Sequence, residues 1–408
     1  MKAGDVVQYR TGSQQLMKDW NLSLLANLIR KNPKISRAEL TALTNLSPTT
    51  VSSLVAELID DGLVRETGVR DSQSGRKPIL LEFVPEGRIG IGVSINHDGI
   101  KVALVNLLGE PLYIFEGRAS LEHEKAVLAQ VEQGIEECIA HAKEQNLQDR
   151  IYGIGIGVLG LVEGTKSRYL LGNTWHSIDL APIVEKHPKF YFSIENDINA
   201  MALGEVWFGQ GKEAKHLLYV YLGYGLGVGV IIDGKLYRGA FGSAGELGHV
   251  SVSHGDFKCR CGLTGCLGVI ADGAHVMLRI KRAIEEGTST SISPDNLTFE
   301  SFLDAAKTGD PFCNELLDEL ISNLSRAIIS AVNLFDPGLV IIGGFFSDPK
   351  HPASSRLIST IQNNSLASYR DDFRILASNF GDNSGVIGAA AAVLKNVFDL
   401  QLTQEQIS

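Results

Sequence analysis

Two stretches, beginning at Arg88 and Lys215, share one plan, and that repetition constrains the fold more than any other feature. "RIGIGVSINHDGIKVALVNLLGEPLYIFEG" reads as strand, turn, strand, turn, strand, and "KHLLYVYLGYGLGVGVIIDGKLYRGA" reads the same way. Ile100–Leu107 and Val228–Ile232 are apolar runs of the buried-strand type, and Gly109 and Gly234 mark the turns that follow. Apolar-rich helical stretches come after each, over about 123–146 and 314–334, and "GLVIIGGFF" adds a further strand-to-turn unit. Two α/β lobes with a crevice between them suit a small ligand. At 408 residues the chain exceeds one ordinary core, which leaves room for another domain.

The residues ahead of Arg88 follow a different pattern. Leu16, Trp20, Leu24, Leu28 and Ile29 recur at helical spacing, which predicts a first helix over roughly 14–31. Ser36 and Glu39 form a capping-box pair opening a short second helix, Arg37 to Thr44. Ser47 caps and Pro48 begins a third helix running to about Asp60, with Val51, Leu54, Val55 and Leu58 as its apolar stripe. Its other face presents Thr49, Thr50, Ser52 and Ser53, small hydroxyl side chains that allow close approach to a DNA groove. "GLVRETG" and "KPILLEF" read as paired strands around the turn "VRDSQSGR", so Arg70, Arg76 and Lys77 sit on a wing placed for phosphate or minor-groove contact. The order is that of a winged helix-turn-helix over residues 1–85.

Charge agrees with this division. Residues 1–85 hold eleven Lys/Arg against nine Asp/Glu, and the rest hold 26 against 38, within a net charge of -10. DNA is repelled by most of the molecule and attracted, if anywhere, to the head. No apolar run reaches eighteen residues, which predicts no membrane insertion. The N-terminus lacks a signal-peptide pattern, so the expected location is the cytoplasm. The cysteines number five, an odd count that argues against a disulfide framework.

"YLGYGLGVGVIIDGKLYRGAFGSAGELGHV" with "CRCGLTGCLG" resembles the signature of the ROK family, which comprises bacterial sugar kinases and sugar-responsive repressors. "IENDINAMALGE", "LGNTW" and "NLFDPGLVIIGG" match further family blocks, and the likeness spans about 88–395. The head makes it similar to the repressor branch, the Mlc, NagC and xylose-repressor type. The resemblance implies an actin-like, ribonuclease-H-like pair of lobes: the first over 86–200 plus about 382–408, closed by a returning C-terminal helix, the second over 201–381.

Cys259, Cys261 and Cys266 supply three thiolates within C-x-C-G-x-x-G-C, and a tetrahedral ion needs a fourth ligand. His249, ten residues upstream of Cys259, is the candidate, and the family uses that histidine. The set favours one structural Zn²⁺ per chain, pinning loop 250–268 near Glu246. Cys138 and Cys313 lie on helical patterns and read as core. The resemblance also implies a sugar site of Asn173, Asn196, Asp197, Glu246 and His249, with Asp197 at the position of the kinases' catalytic base.

Three departures bear on activity. Where family kinases carry the phosphate loop D-x-G-G-T, this chain has Ser94-Ile95-Asn96-His97-Asp98, and Tyr224 replaces the usual threonine of the second loop. A loop without glycines and with a carboxylate cannot cradle phosphate, so no catalytic role is assigned. Leu159 replaces a proline. Gly268 replaces a sugar-holding glutamate, a loss of about 1.5–3 kcal/mol for each charged hydrogen bond. The expectation is a sugar-responsive repressor of carbohydrate uptake or metabolism genes, binding operator DNA as a homodimer or homotetramer. The alternatives are an ATP-dependent sugar kinase and a repressor titrated by a sugar-transporter protein.

Overall fold

The computed structural model describes residues 14–69, 78–171, 174–253, 258–259, 261–366 and 371–397. The head comprises α1 (Gln14–Lys31), β1 (Ile35–Ser36), α2 (Arg37–Thr44), α3 (Pro48–Asp60), β2 (Val64–Val69) and β3 (Ile79–Phe83). The Ser36–Glu39 capping box opens α2, and Asn45, left-handed at φ 56°, ends it and starts the turn into α3. Ser47 caps α3, whose buried face is Val51, Leu54, Val55 and Leu58. The strands pair antiparallel in the order β1-β3-β2. One expectation needs correction. Leu25, Ala26 and Ile29 carry the buried face of α1, while Trp20 and Leu24 are exposed. Helical spacing gives a period; which face meets α3 and β3 decides the phase.

The lobes repeat one topology. The first contains β4 (Ile89–Asn96), β5 (Gly99–Asn106), β6 (Pro111–Gly117), α4 (Glu124–Glu144), β7 (Ile151–Val158), a flap of β8 (Leu161–Glu163), β9 (Lys166–Leu171) and β10 (Thr174–Asp179), then α5 (Ala181–Lys186) and β11 (Tyr191–Asn196). α6 (Asp197–Trp207) leads into the second: β12 (Leu217–Leu222), β13 (Leu226–Ile232), β14 (Lys235–Leu236), α7 (Gly268–Ala271), α8 (Gly273–Glu285), α9 (Phe299–Lys307), α10 (Pro311–Phe335), β15 (Leu339–Gly344), α11 (Pro352–Asn364) and β16 (Arg374–Ala377), after which comes α12 (Ser384–Leu394). The sheet orders are β11-β7-β4-β5-β6 and β14-β13-β12-β15-β16. In each, a three-strand antiparallel meander continues into two parallel strands.

Two helices bridge the sheets. α12 returns to the first sheet, α6 packs on β12 and β13 of the second, and the helices pack on each other. The alternating glycines of β4 and β7 make this possible. A Cβ at Gly92 would strike the Val386 carbonyl, and one at Gly155 the Ala389 carbonyl, so α12 rests directly on backbone. A continuous apolar cluster runs from the head, through Leu54 and Leu81, into Val105, Leu203 and α12. Arg88 and Arg150 both donate to the Asp61 carbonyl at the end of α3, at 3.0 and 3.2 Å. Cys138 and Cys313 are buried as expected.

Candidate functional site

A cavity of about 360 Å³ lies in the crevice. α6 enters it by its N-terminus, bringing Asn196 and Asp197; the loop after β14 brings Glu246 and His249; α7 and α8 bring Gly268, Asp272 and His275; and the flap brings Arg168, Tyr169 and Trp175. Of the sequence-predicted sugar residues, Asn196, Asp197, Glu246 and His249 therefore meet at one cavity, whereas Asn173 lies outside the described residues.

Their chemistry differs. Asn196 acts mainly as a strut: its Oδ1 accepts from the amides of Ile198 and Asn199, capping α6, and its Nδ2 donates to the Gly160 carbonyl at 3.0 Å. Asp197 is buried, and that burial pushes its carboxyl up to about 7, with Glu246 and Asp98 adding to the rise. A carboxyl poised near neutrality responds to hydroxyl donors that favour its charged form. An ion pair that the sequence reading missed ties the lobes beside this site. Arg238 places Nε and Nη2 at 2.7 and 2.6 Å from Oε2 of the buried Glu195. The signal was a glutamate inside a short strand of the parallel sheet, which demands a partner once buried.

The residues expected to bind metal converge into one group that could hold an ion. His249 Nδ1 lies 3.5 Å from Cys259 Sγ, Cys261 Sγ lies 3.6 Å from Cys266 Sγ, and all four donor atoms fall within 4.8 Å of one another. A tetrahedral ion with bonds of about 2.0–2.3 Å sets its donors about 3.5–3.8 Å apart, so the set fits one metal ion. Pairing of Ser251 with Cys266 and of Lys258 with Thr264 folds the loop on itself. His249 Nε2 then faces Glu246 Oε2 at 4.0 Å, which links the metal-binding set to the cavity wall.

A second cavity, of about 600 Å³, lies against the turn between β4 and β5. Asp98, Glu116, Glu300, Asp348 and Asp382 line it with Lys101, which pairs with Glu116 at 3.0 Å. Tyr221 donates to Asp98 Oδ2 at 2.8 Å across the crevice; burial, then the Asp98 charge, raises the phenol well above its ordinary pKa. Tyr224 lines both cavities, its ring edge-on to Phe345.

On the head, Thr49, Ser52 and Ser53 are exposed on α3, while Ser47 and Thr50 are joined through their hydroxyls at 2.8 Å in the cap. Arg70, Arg76 and Lys77 lie outside the described residues, between the paired strands β2 and β3. α6 reaches the head by its other end: the Arg30 guanidinium sits 4.6 Å over the Trp207 ring and donates to the Trp207 carbonyl at 3.1 Å.

A helix-turn-helix head joined to two actin-like lobes with a Cys/His cluster defines a class, and comparison with known proteins agrees. The ROK family profile matches residues 91–396, and a winged helix-turn-helix DNA-binding profile matches residues 24–65. The chain belongs to the ROK family. It is 33% identical over 395 residues to a xylose repressor of Caldicellulosiruptor bescii, covering 95% of this chain and 98% of the relative. It is 27% identical over 403 residues to the Escherichia coli DNA-binding transcriptional dual regulator NagC, covering 97% and 98%. Among solved structures, a ROK family transcriptional regulator homologous to the E. coli Mlc protein matches with a TM-score of 0.78 at 27% identity, over 96% of this chain and 99% of that one. A ROK glucokinase from Streptomyces griseus, solved with glucose and AMPPNP, matches 75% of this chain and 99% of its own at a TM-score of 0.61 and 28% identity.

Proposed function

We propose that this chain is a sugar-responsive transcriptional repressor of carbohydrate genes, acting in the cytoplasm as a symmetric oligomer on a two-half-site operator. The observation that carries the reading is α6: Asp197 at its start lines the sugar cavity and Trp207 at its end holds Arg30 of the head. Sugar that engages Asp197, Glu246 and Asn173 biases the seat of α6, and the head follows through Arg30. By linkage, a sugar that weakens operator binding is itself bound more weakly by the operator complex. On the head, Thr49, Ser52 and Ser53 face bases, Ser47 and Thr50 hold the helix start, and Arg70, Arg76 and Lys77 meet phosphates.

His249, Cys259, Cys261 and Cys266 would hold one Zn²⁺, because three thiolates and an imidazole in a closed tetrahedron are a soft, structural donor set. The ion would supply rigidity alone and keep His249 against Glu246. The chain does not work as a kinase in this reading. Carboxylates line the cavity where nucleotide phosphates would lie, and Tyr224 stands between it and the sugar cavity. The test is operator binding by purified protein across a sugar panel: some sugar must shift operator affinity, and ATP must not turn over.

A further inference from the structure

The cavity wall at Gly268 lacks the family glutamate, and the structure shows what stands there instead. An ideal Cβ on Gly268 would lie 3.2 Å from the Gly248 carbonyl oxygen and 3.8 Å from Asp272 Oδ2. The backbone at Gly268 is thus close-packed on Gly248, and the cavity it borders is walled next by Asp272. Oδ1 of Asp272 accepts from the His275 amide at 2.8 Å and from His275 Nδ1 at 2.7 Å, which caps α8 and fixes the ring. Oδ2 has no hydrogen-bond partner among the described residues, and neither does His275 Nε2. A carboxylate only accepts, so Nδ1 donates its proton to Asp272 and Nε2 is left facing the cavity. Both residues line the cavity, with side chains 15% and 22% exposed.

The wall thus presents an acceptor oxygen and a ring nitrogen, both without a partner among the described residues, beside an empty volume. We propose that Asp272 and His275 form a second subsite, which takes the outer unit of a neutral disaccharide. The proposal rests on the sugar-binding reading of this cavity and names its substrate class. A glycosyl unit offers several hydroxyls, which donate to Asp272 Oδ2 and can donate to or accept from His275 Nε2. A phosphate or uronate would bring like charge toward Asp272, and an acetyl oxygen would face the Asp272 acceptor with an acceptor. Trp175 of the flap, 55% exposed, adds an aromatic face of the kind that takes the apolar face of a sugar ring. A glutamate at 268 would fill the same room and shorten the site to one ring.

The test is calorimetric titration of the full chain with cellobiose, xylobiose, maltose, D-glucose and D-xylose. One disaccharide should bind at least roughly tenfold more tightly than its own monosaccharide. Asp272→Asn, which keeps a capping side chain, and His275→Gln should each weaken that disaccharide about tenfold while changing the monosaccharide less than about threefold. Gly268→Glu should reverse the preference. A purely structural role for the pair would lower both affinities together, and that outcome, or no change in either, overturns the subsite while leaving the single-sugar reading in place. Two variants guard against misfolding of one. If none of the five sugars produces heat with the wild-type chain, the sugar-cavity reading falls and the subsite with it.

Discussion

The two cavities of the crevice share Tyr224 and little else. One pairs Asp197 and Glu246 with an aromatic flap and a metal-binding loop. The other, built on the turn between β4 and β5, is walled by carboxylates and crossed by the Tyr221–Asp98 hydrogen bond. The contrast teaches which half of a kinase framework a sensor needs. Hydroxyl recognition wants acceptors held in place. Phosphate recognition wants open backbone and positive charge, and here both have been replaced.

The largest test of that contrast is to take the brace from one cavity. Cys266→Ser replaces a fully buried donor of the metal-binding set. Structural zinc sites contribute on the order of 10 kcal/mol, so metal content should fall to near zero and sugar affinity by more than about a hundredfold. Metal analysis with calorimetry checks this, and sugar binding that survives metal loss breaks the asymmetry.

Next comes Asp197→Asn, which should weaken sugar binding about ten- to a hundredfold. Its pH dependence has a definite sign. An unfolded aspartate titrates near about 3.9, and folded Asp197 near about 7. Asp197 thus contributes stability in full below about pH 4, and that contribution is lost as pH rises through about 7. The asparagine variant should gain melting temperature over wild type at pH 8 and much less at pH 5. Wild-type sugar affinity should rise across the same interval, as the carboxylate becomes free to accept hydroxyls. A flat profile would remove Asp197 from ligand contact.

A smaller effect is expected at the far end of α6. Trp207→Ala should leave sugar binding within about threefold and remove most of a coupling of about 1–3 kcal/mol between sugar and operator, measured by DNA titration with and without sugar. Smallest of all, the acidic cavity should give nothing: no phosphorylation of glucose by ATP above the no-enzyme rate. Turnover there would erase the distinction between the cavities.

Much of this was legible in the sequence because local rules agreed with tertiary packing. Ser36, Glu39, Ser47 and Pro48 fix the head helices by capping alone, and the duplicated strand plan became the duplicated sheet. The gathering of His249 with three cysteines was legible because it is carried by spacing. What failed depended on partners distant in sequence. The phase of α1 is set by α3 and β3, and the two-residue β1 exists only because β3 pairs with it. Asn196 lines the cavity, and its further work in capping α6 and bonding Gly160 depends on partners that its motif does not name. Asp272 and His275 carried no motif, and their place beside Gly268 emerges only when α7 turns into α8.

The central claim is that a sugar bound at Asp197 reaches DNA through the head. The most direct measurement is fluorescence anisotropy of an operator fragment, recovered from genomic DNA by the chain itself, titrated with wild-type and Asp197→Asn protein in the presence and absence of the sugar that binds. Wild-type operator affinity should change at least roughly fivefold with saturating sugar, and the variant should not respond at the same concentration. Sugar that binds the wild-type chain and leaves its operator affinity untouched would contradict the account.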